Sequence, residues 1–414
     1  MSDVAQNGTP HRLKVAHVVT VYRAVVGILD AKLGALAAYP DLDVTAYSAP
    51  GPPGAALPQP KTPVRVVPMA RSIRPGADLL SVWRLYRLFR RDRPDVVHTH
   101  SAKAGAIGAV AAWLAGVKLI VHTHHGLPFY QGQPRLEHVV FSTLEGLATK
   151  FRHHLLSQNR SDLVACARLI GSWEKVSFEG NGIDAGEVIA RAEQGRADAE
   201  ADFAAFSPDA FRLVMLARLE PVKRVPDFVA ACALLARRGV NFGAVIAGVG
   251  PLHGALQRQI DSVGLSDRVK LLGWRENAPA LLAAGDAAVL TSEKEGVPRS
   301  LMEAMALGKP IVATNVLGTQ ELVRHERTGW LTPCGAPAAL ADRLAELADD
   351  APLRRWFGEA GRKRIAEHFD DRRIAGFLRE FYYEQLGLPT PAVAPATTRI
   401  ELFPSTAASQ RRAA

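Results

Sequence analysis

Cysteines, aromatic residues and long apolar runs are all scarce in this sequence of 414 residues. The cysteines are far apart and lack paired spacing, which argues against both a disulfide framework and a zinc site. They are expected to be buried thiols in a reducing compartment: Cys166, Cys232 and Cys334. Aromatic residues make up only 7% of the chain and are not interleaved with basic residues. Because no RNA-recognition motif or helix-turn-helix signature is present either, we expect no nucleic-acid partner.

Targeting and membrane-spanning features are also missing. The chain does not begin with a cationic stretch, an apolar run and a small-residue cleavage site, so we do not expect secretion. The best candidate for a membrane span, residues 104–117, is rich in Ala and Gly and shorter than the roughly 20 apolar residues that a crossing helix needs. We expect a buried helix there. Residues 1–11 and 389–414 lack apolar periodicity and are expected to be disordered.

Positive charge is plentiful, with a formal net charge of +9, which suits an anionic substrate or an anionic membrane surface. Part of this charge lies in a predicted helix over residues 79–91. Its arginines at helical spacing are Arg84, Arg87 and Arg91, and the apolar stripe beside them comprises Leu79, Val82, Tyr86 and Phe89. The helix is either a solvated outer face packed on a sheet or a face that docks to anionic lipid headgroups.

The length suits two domains, and the order of the predicted elements supports that division. Short β-rich runs alternate with helical patterns from residue 13 to residue 172, stop at a glycine-containing hinge over 179–184, and restart at residue 213. This alternation is typical of parallel strands with crossover helices. We expect two doubly wound α/β domains, 12–180 and 181–366, that face one another across a cleft. Ligands in such sheets bind beyond the carboxyl ends of the strands.

Residues 291–330 contain the clearest candidate for a ligand site. Glu295 precedes a predicted helix start, and Glu303 lies inside the first turns of that helix. The turn between them consists of Gly296, Val297 and Pro298. Carboxylates suit hydroxyl groups, and free N–H groups at a helix N-terminus suit phosphate. The combination predicts a ligand that carries both, such as a sugar nucleotide.

Several other candidates follow predicted strands of the second half. Arg218 and Lys223 come after the strand over 213–216, where cations would neutralise a diphosphate and stabilise a leaving group; the alternative is an ordinary charged surface loop. Gly250 opens a helix after the next strand, which is weak evidence alone. Arg275 lies in a strand-end segment, 272–277, that either contacts a nucleobase through its backbone or is a simple connecting turn.

Histidines cluster at two predicted strand ends of the first half: His98 and His100, then His122, His124 and His125. Neutral imidazoles bind zinc, but neither cysteines nor an HExxH-type spacing support a metal site, so we favour none. Instead, His125 is expected to project into the cleft and hydrogen-bond a sugar, while His122 faces the packed sheet. Lys103, near a helix start, is expected to bind an acceptor phosphate unless it is simply a solvated lysine.

These residues carry a resemblance to a known family. EGVPRSLMEAMALGKPIVAT resembles the two-glutamate region of the retaining glycosyltransferases of family 4, and ARLEPVKRV is similar to their donor-phosphate segment. NGID and GTQELVRHERTGWLTP follow in the usual order of the family, and the agreement runs from residue 13 to residue 386. The segment PDVVHTHSAKAGAIGAVAAWLAGVKLIVHTHHGLPF is similar to members that act on polyprenyl-diphosphate-linked saccharides or otherwise assemble surface polysaccharides.

The resemblance implies the GT-B fold, with two Rossmann-like domains and a terminal helix, 367–388, that crosses back to the first. It also implies a metal-independent reaction that retains the anomeric configuration and needs no cofactor, with a nucleotide-diphosphate sugar as the donor substrate. Glu303 would then bind ribose, Glu295 and the turn 296–298 the donor sugar, and Arg218 with Lys223 the diphosphate. His125 would contact the donor sugar near the reacting centre. His100 and Lys103 would lie on the acceptor side.

One departure from the family concerns the loop after the first strand. Many relatives carry a Gly-Gly turn there for the donor, whereas this chain has only Gly27, preceded by Tyr22 and Arg23. The expected function is transfer of a sugar to a lipid-linked or other glycan acceptor, in the cytoplasm at the inner face of a membrane. The alternatives are an epimerase or phosphorylase-like enzyme of the same architecture and a non-catalytic sugar-nucleotide-binding module; no segment suggests a pyridoxal-phosphate lysine.

Overall fold

A computed structural model of the chain describes residues 12–51, 59–70, 74–129 and 135–392. Two parallel sheets form the centres of two α/β units. The first contains β1 (Leu13–Val18), β2 (Leu42–Ser48), β3 (Val64–Val66), β4 (Val96–His100), β5 (Leu119–His124), β6 (His154–Ser157) and β7 (Val176–Phe178). The second contains β8 (Phe211–Leu216), β9 (Phe242–Ala247), β10 (Val269–Gly273), β11 (Ala287–Leu290), β12 (Ile311–Thr314) and β13 (Gly329–Thr332).

Strand order in both sheets reverses next to the first strand of the unit. The orders are β3-β2-β1-β4-β5-β6-β7 and β10-β9-β8-β11-β12-β13. Central strands such as β9, with the sequence FGAVIA, are buried along their whole length because helices cover both faces of the sheet. The carboxyl ends beside β1 and β8 are therefore the places where ligands bind in such folds.

Helices connect these strands. In the first unit they are α1 (Tyr22–Ala24), α2 (Asp30–Ala37), α3 (Pro75–Asp92), α4 (Ala102–Ala115), α5 (Arg135–Thr149) and α6 (Leu163–Ile170), with a π-helical turn at Val25–Leu29. In the second they are α7 (Ala185–Gln194), α8 (Arg196–Phe203), α9 (Val225–Arg237), α10 (His253–Ser262), α11 (Ala278–Ala284), α12 (Arg299–Ala306), α13 (Leu317–Leu322), α14 (Pro337–Asp349) and α15 (Ala351–His368), with a 3₁₀ turn at Pro221–Lys223.

The last helix, α16 (Asp371–Gln385), follows the second unit in sequence but packs on α2 of the first. Its buried apolar side chains, Ile374, Leu378, Phe381 and Tyr382 among them, belong to the same core cluster as those of β1 and α2. The Arg379 guanidinium, nearly buried, lies 2.8 Å from a carboxylate oxygen of Asp41. The first unit is thus completed by a segment from the far end of the chain.

The structure differs from the sequence-based expectations in several places. Cys166 and Cys232 are buried as expected, but Cys334 is exposed, because it lies in the turn after edge strand β13. Leu79, expected in the apolar stripe of α3, is exposed, and the buried face of that helix consists of Ser81, Leu85 and Phe89.

The remaining differences concern elements and chain ends. Strands β6, β7 and β13 were not predicted, because they are short and carry polar or glycine residues. Residues 104–117 lie mostly in buried α4, and within the described ranges no helix is both long and apolar enough to cross a bilayer. Residues 1–11 and most of the predicted tail lie outside the described part of the chain.

Candidate active site

The loop from β11 to α12 brings predicted residues of the second unit together. Lys223 Nζ lies 2.5 Å from Glu295 Oε1, and both side chains are largely shielded from solvent. Glu303, in the second turn of α12, accepts a hydrogen bond from Arg299 Nε at 3.0 Å. The same Arg299 reaches the carbonyl oxygen of Ile28 in the first unit at 3.5 Å. Both glutamates therefore face cations beside the boundary between the two units.

Backbone contacts between glycines join the two units at this loop. Gly126, with a φ of 106°, lies opposite Gly296, and a Cβ on Gly126 would come 3.3 Å from Gly296 Cα. A Cβ on Gly296 would collide with the carbonyl oxygen of His125. Behind it, Gly318 leaves room for the Gly296 carbonyl. The ammonium of Lys294 also donates to the carbonyl oxygen of Leu127 across the boundary.

Arg218 and Gly250 lie at neighbouring strand ends. Arg218 is exposed, and its guanidinium lies 2.5 Å from a carboxylate oxygen of Glu220, two residues later. Gly250 packs against the backbone of Leu219, so that a Cβ would come within 2.6 Å of the Leu219 carbonyl carbon. This close approach explains why residue 250 is a glycine, since no Cβ fits there. It also keeps the loop of Arg218 next to the turn after β9.

The predicted donor residues Arg275 and Gly27 have other surroundings. Arg275 forms two hydrogen bonds with Asp202 of α8, at 2.9 and 2.7 Å, and this partner raises the pKa of its guanidinium. Because the guanidinium is paired with Asp202, only backbone groups of this segment are left to contact a nucleobase. Gly27 is exposed in the π-helical turn Val25–Leu29, with open space where a Cβ would stand. Next to that turn, the Arg23 guanidinium lies 5.1 Å from the ring centre of Trp274 in the second unit.

The histidines form a buried row rather than a set of side chains lining the cleft. His100 is buried, and its ring nitrogens lie 2.9 Å from His17 Nδ1 and 3.1 Å from His125 Nε2. His125 itself is half-buried. Burial lowers its pKa to about 3, and the charge of Lys32 acts in the same direction. Any contact of His100 with a substrate would therefore pass through His125.

Two clusters within the described ranges have possible metal ligands within 4.8 Å of one another: His17, His98 and His100, and His122, His124 and Glu145. In the first, the rings of His17 and His100 are inclined by only 13°, and His17 Nδ1 lies 2.9 Å from His100 Nε2. These two nitrogens therefore face one another in a hydrogen bond rather than a common ion. In the second, Glu145 is paired with Arg152 at 2.8 Å. Both clusters suit hydrogen bonding within the protein better than metal coordination.

Lys103 lies in the first turn of α4, with its ammonium 2.7 Å from a carboxylate oxygen of Asp78 in α3. Sequence reasoning missed a buried lysine, Lys32, which lies 2.5 Å from Glu179 at the start of the hinge. Glu179 also accepts a hydrogen bond from the hydroxyl of Thr123 at the end of β5. A lysine in an otherwise apolar helix such as α2 is the sequence signal that would have pointed to this pair.

Both units of the chain match family models of glycosyltransferases. Residues 12–170 match the family model described as a glycosyl transferase 4-like domain, and residues 198–364 match that of the glycosyl transferases group 1. The chain is 29% identical to the UDP-Gal:α-D-GlcNAc-diphosphoundecaprenol α-1,3-galactosyltransferase of Escherichia coli, over 77% of this chain and 82% of the relative. It is 28% identical to the N-acetyl-α-D-glucosaminyl L-malate synthase of Bacillus anthracis, over 75% and 80%.

Solved structures share the architecture. Anabaena Alr3699/HepE in complex with UDP and glucose superimposes with a TM-score of 0.75 at 22% identity, covering 90% of this chain and all of the other. Sucrose-phosphate synthase from Thermosynechococcus elongatus gives a TM-score of 0.73 at 19% identity, covering 91% of this chain and all of the other. At these identities the likeness shows the fold alone.

Proposed function

Because this chain belongs to the family-4-like glycosyltransferases with the GT-B fold, we propose that it moves a hexose from a uridine-diphosphate sugar to a lipid-linked saccharide. The observation that carries the proposal is the shielded contact between Lys223 and Glu295, 2.5 Å long, in a cleft closed by Gly126 and Gly296. The ammonium of Lys223 suits a diphosphate, and the carboxylate of Glu295 suits the hydroxyl groups of a sugar. The galactosyltransferase of Escherichia coli, whose name gives a UDP-sugar donor and a diphosphoundecaprenol-linked acceptor, supports both the donor and the acceptor class.

The proposed reaction retains the anomeric configuration and needs no divalent metal. The bond between the anomeric carbon and the diphosphate oxygen breaks, and Lys223 and Arg218 stabilise the negative charge on the departing nucleotide. An acceptor oxygen forms the new bond from the same face of the sugar, and its proton passes to the leaving diphosphate. Because diphosphate is a good leaving group, no paired carboxylic acid and nucleophile are required. Glu295 and Glu303 hold hydroxyl groups instead.

Incubation of the purified chain with UDP-hexoses and a synthetic polyprenyl-diphosphate saccharide tests this proposal. We expect UDP release coupled to an α-linked product, seen by mass spectrometry and NMR, with unchanged rates in EDTA. Glu303→Ala should weaken donor binding, and Arg218→Ala should lower kcat. Binding of donors without turnover across all acceptors would instead favour a non-catalytic module, and wild-type behaviour of both variants would refute their assigned roles.

We also propose that the first unit docks to an anionic bilayer, as a lipid-linked acceptor requires. Helix α5 turns its apolar side chains outward: Leu136 is 77% exposed, whereas Glu145 faces the interior and pairs with Arg152. The exposed apolar residues of α5 are Leu136, Val139, Val140, Leu144 and Leu147. Helices α3 and α5 both pack on α4. Exposed Leu79, Leu80 and Trp83 on α3 are followed by the exposed arginines Arg87, Arg90 and Arg91.

This arrangement combines apolar surface for insertion with cations for lipid phosphates, each worth about 1 kcal/mol near an anionic surface. Flotation with phosphatidylcholine vesicles, with and without phosphatidylglycerol, checks it. The triple change Leu136→Gln, Val139→Gln and Leu147→Gln should reduce binding to the anionic vesicles at least tenfold. The matched changes Val263→Gln and Trp356→Gln, at exposed apolar residues of the second unit, should not. Equal binding by both variants would contradict docking through α5.

A further inference from the structure

A chain of hydrogen bonds links the donor loop to Gln158, and its direction is set by groups with a single role. The carbonyl of Val297 only accepts, so Asn181 donates to it through Nδ2, at 3.4 Å. The backbone N–H of Gly182 only donates, and it donates to Asn181 Oδ1 at 3.0 Å. Gln158 Nε2 donates to the same Oδ1 at 3.2 Å. Gln158 in turn lies beside the imidazole of His125.

The histidines form a second row of hydrogen bonds inside the first unit. His125 faces His100 through Nε2, at 3.1 Å, so its Nδ1 is the nitrogen left for a substrate. Burial lowers the pKa of His17 and His125 to about 3 and that of His100 well below its usual range, so each ring is neutral and carries one proton. In the order that places the His125 proton on Nδ1, His17 Nδ1 donates to His100 Nε2 at 2.9 Å and His100 Nδ1 donates to His125 Nε2.

The far end of the row agrees with this direction. His17 Nε2 is a buried atom that lacks a hydrogen-bond partner among the described residues. In the derived order it is a bare lone pair, and the reverse order would leave a buried N–H without an acceptor. Unsatisfied buried N–H groups are rarer in proteins than under-used acceptors. The charged and titratable groups around His125 are His98, His100, His122, His124 and Lys32.

We propose that His100 and His17 are positioning residues that hold His125 as its Nδ1–H tautomer, so that His125 presents an N–H and not a lone pair to the donor sugar. This inference rests on the proposed function. A sugar oxygen that reaches Nδ1 then meets a donor that is already in place.

Nitrogen NMR of the full chain labelled with ¹⁵N-histidine tests the tautomer directly. The His125 signals, identified by their loss in His125→Ala, should show a protonated Nδ1 and a bare Nε2 at pH 7.5. A protonated Nε2 would overturn the proposal. The tautomer is read from the wild-type protein, with His125→Ala used only to assign the signals, and the result does not depend on which donor sugar is turned over.

Two nearly isosteric substitutions test the positioning role. Asparagine at residue 100 keeps a donor toward His125, whereas aspartate only accepts. We expect His100→Asn to retain kcat within about threefold and His100→Asp to lose about tenfold or more. The aspartate variant should also show a new ionisation between pH 5 and 8 in its kcat profile, because an adjacent carboxylate favours imidazolium.

The affinity for UDP, which lacks the sugar, should be the same in both variants. Equal rates for the two variants, or a parallel loss of UDP affinity and kcat, would overturn the positioning role. If the wild-type chain turns over no donor, the proposed function fails, while the NMR result still decides the tautomer.

Discussion

At the scale of single residues, the contact between Lys223 and Glu295 makes binding and folding depend on the same two charges. Both side chains are largely shielded, so removing one charge leaves the other poorly solvated. In such a variant, the charge that remains is compensated only when a bound ligand supplies a group in place of the one removed. The pair therefore holds each group in position for the donor before the donor arrives.

A double-mutant cycle measures this coupling. Lys223→Met and Glu295→Gln should each destabilise the fold by about 2 kcal/mol, and the double variant by less than their sum. All three should lose most UDP-sugar turnover. Lys363→Met, in an exposed pair with Glu367 at 3.9 Å, is the control and should change stability by less than about 0.5 kcal/mol. Urea unfolding and turnover rates check both; full turnover by Glu295→Gln would contradict its assigned contact with the sugar.

At the scale of elements, helix α16 is the segment that the first unit takes from the end of the chain. Its Tyr382 hydroxyl lies 2.6 Å from His98 Nδ1, so the helix also reaches the buried histidines. The other ring nitrogen of His98 lies 2.6 Å from the Thr123 hydroxyl. Docking of α16 therefore helps to fix His98, whose ring lies beside those of His17 and His100.

Truncation of one core side chain tests how much α16 contributes to the stability of the first unit. Leu378 is fully buried, and Leu378→Ala should cost about 2–4 kcal/mol because a cavity remains. Leu388→Ala, at an exposed residue just beyond the helix, should cost less than about 0.5 kcal/mol. Urea unfolding followed by tryptophan fluorescence gives both values. Similar values for the two variants would show that α16 contributes little to the core.

At the scale of the whole molecule, buried histidines set the acid limit of stability. The pKa is lowered, mainly by burial, in His17, His98, His100, His122, His124 and His125. In the unfolded chain histidine titrates near about 6.5, so below that pH the unfolded state binds more protons than the folded state. Stability is then complete above pH 6.5 and falls as the pH falls toward about 3, the folded pKa of His17 and His125.

Each of these histidines contributes a slope of about 1.4 kcal/mol per pH unit. Asp371 acts in the opposite direction. Burial raises its pKa to about 6, so its protonation as the pH falls favours the folded state, but it is a single group. We expect the free energy of unfolding to drop steeply from pH 6.5 to pH 5 and to change little from pH 7 to pH 8. His124→Leu should make the slope shallower by one histidine. Urea titrations at each pH check this, and constant stability from pH 7 to pH 5 would contradict it.

Much of the architecture was predictable, because short β-rich runs such as those of β4 and β9 alternate with helical patterns, and this alternation indicates a parallel α/β fold. Which side chains pair with one another was harder to predict from the sequence. Asp202, which binds Arg275, lies 73 residues away on a helix that was not predicted. The histidine row depends on the spatial order β1-β4-β5, and local sequence patterns do not determine which strands are neighbours. The predicted placement of Lys223 and Glu295 was closer to the observed one, because both residues follow strands whose carboxyl ends lie at the same edge of the second sheet.

The return of α16 to the first unit also bears on how the protein is made and recombined. During synthesis, the core built from β1 and α2 waits for a helix that emerges only after β8–β13 have been translated, roughly 20–70 s later at common elongation rates. In terms of chain topology, the second unit lies between two segments of the first, β7 and α16. A chimera that exchanges donor specificity between relatives should therefore replace the segment between β7 and α16 and keep both ends from one parent.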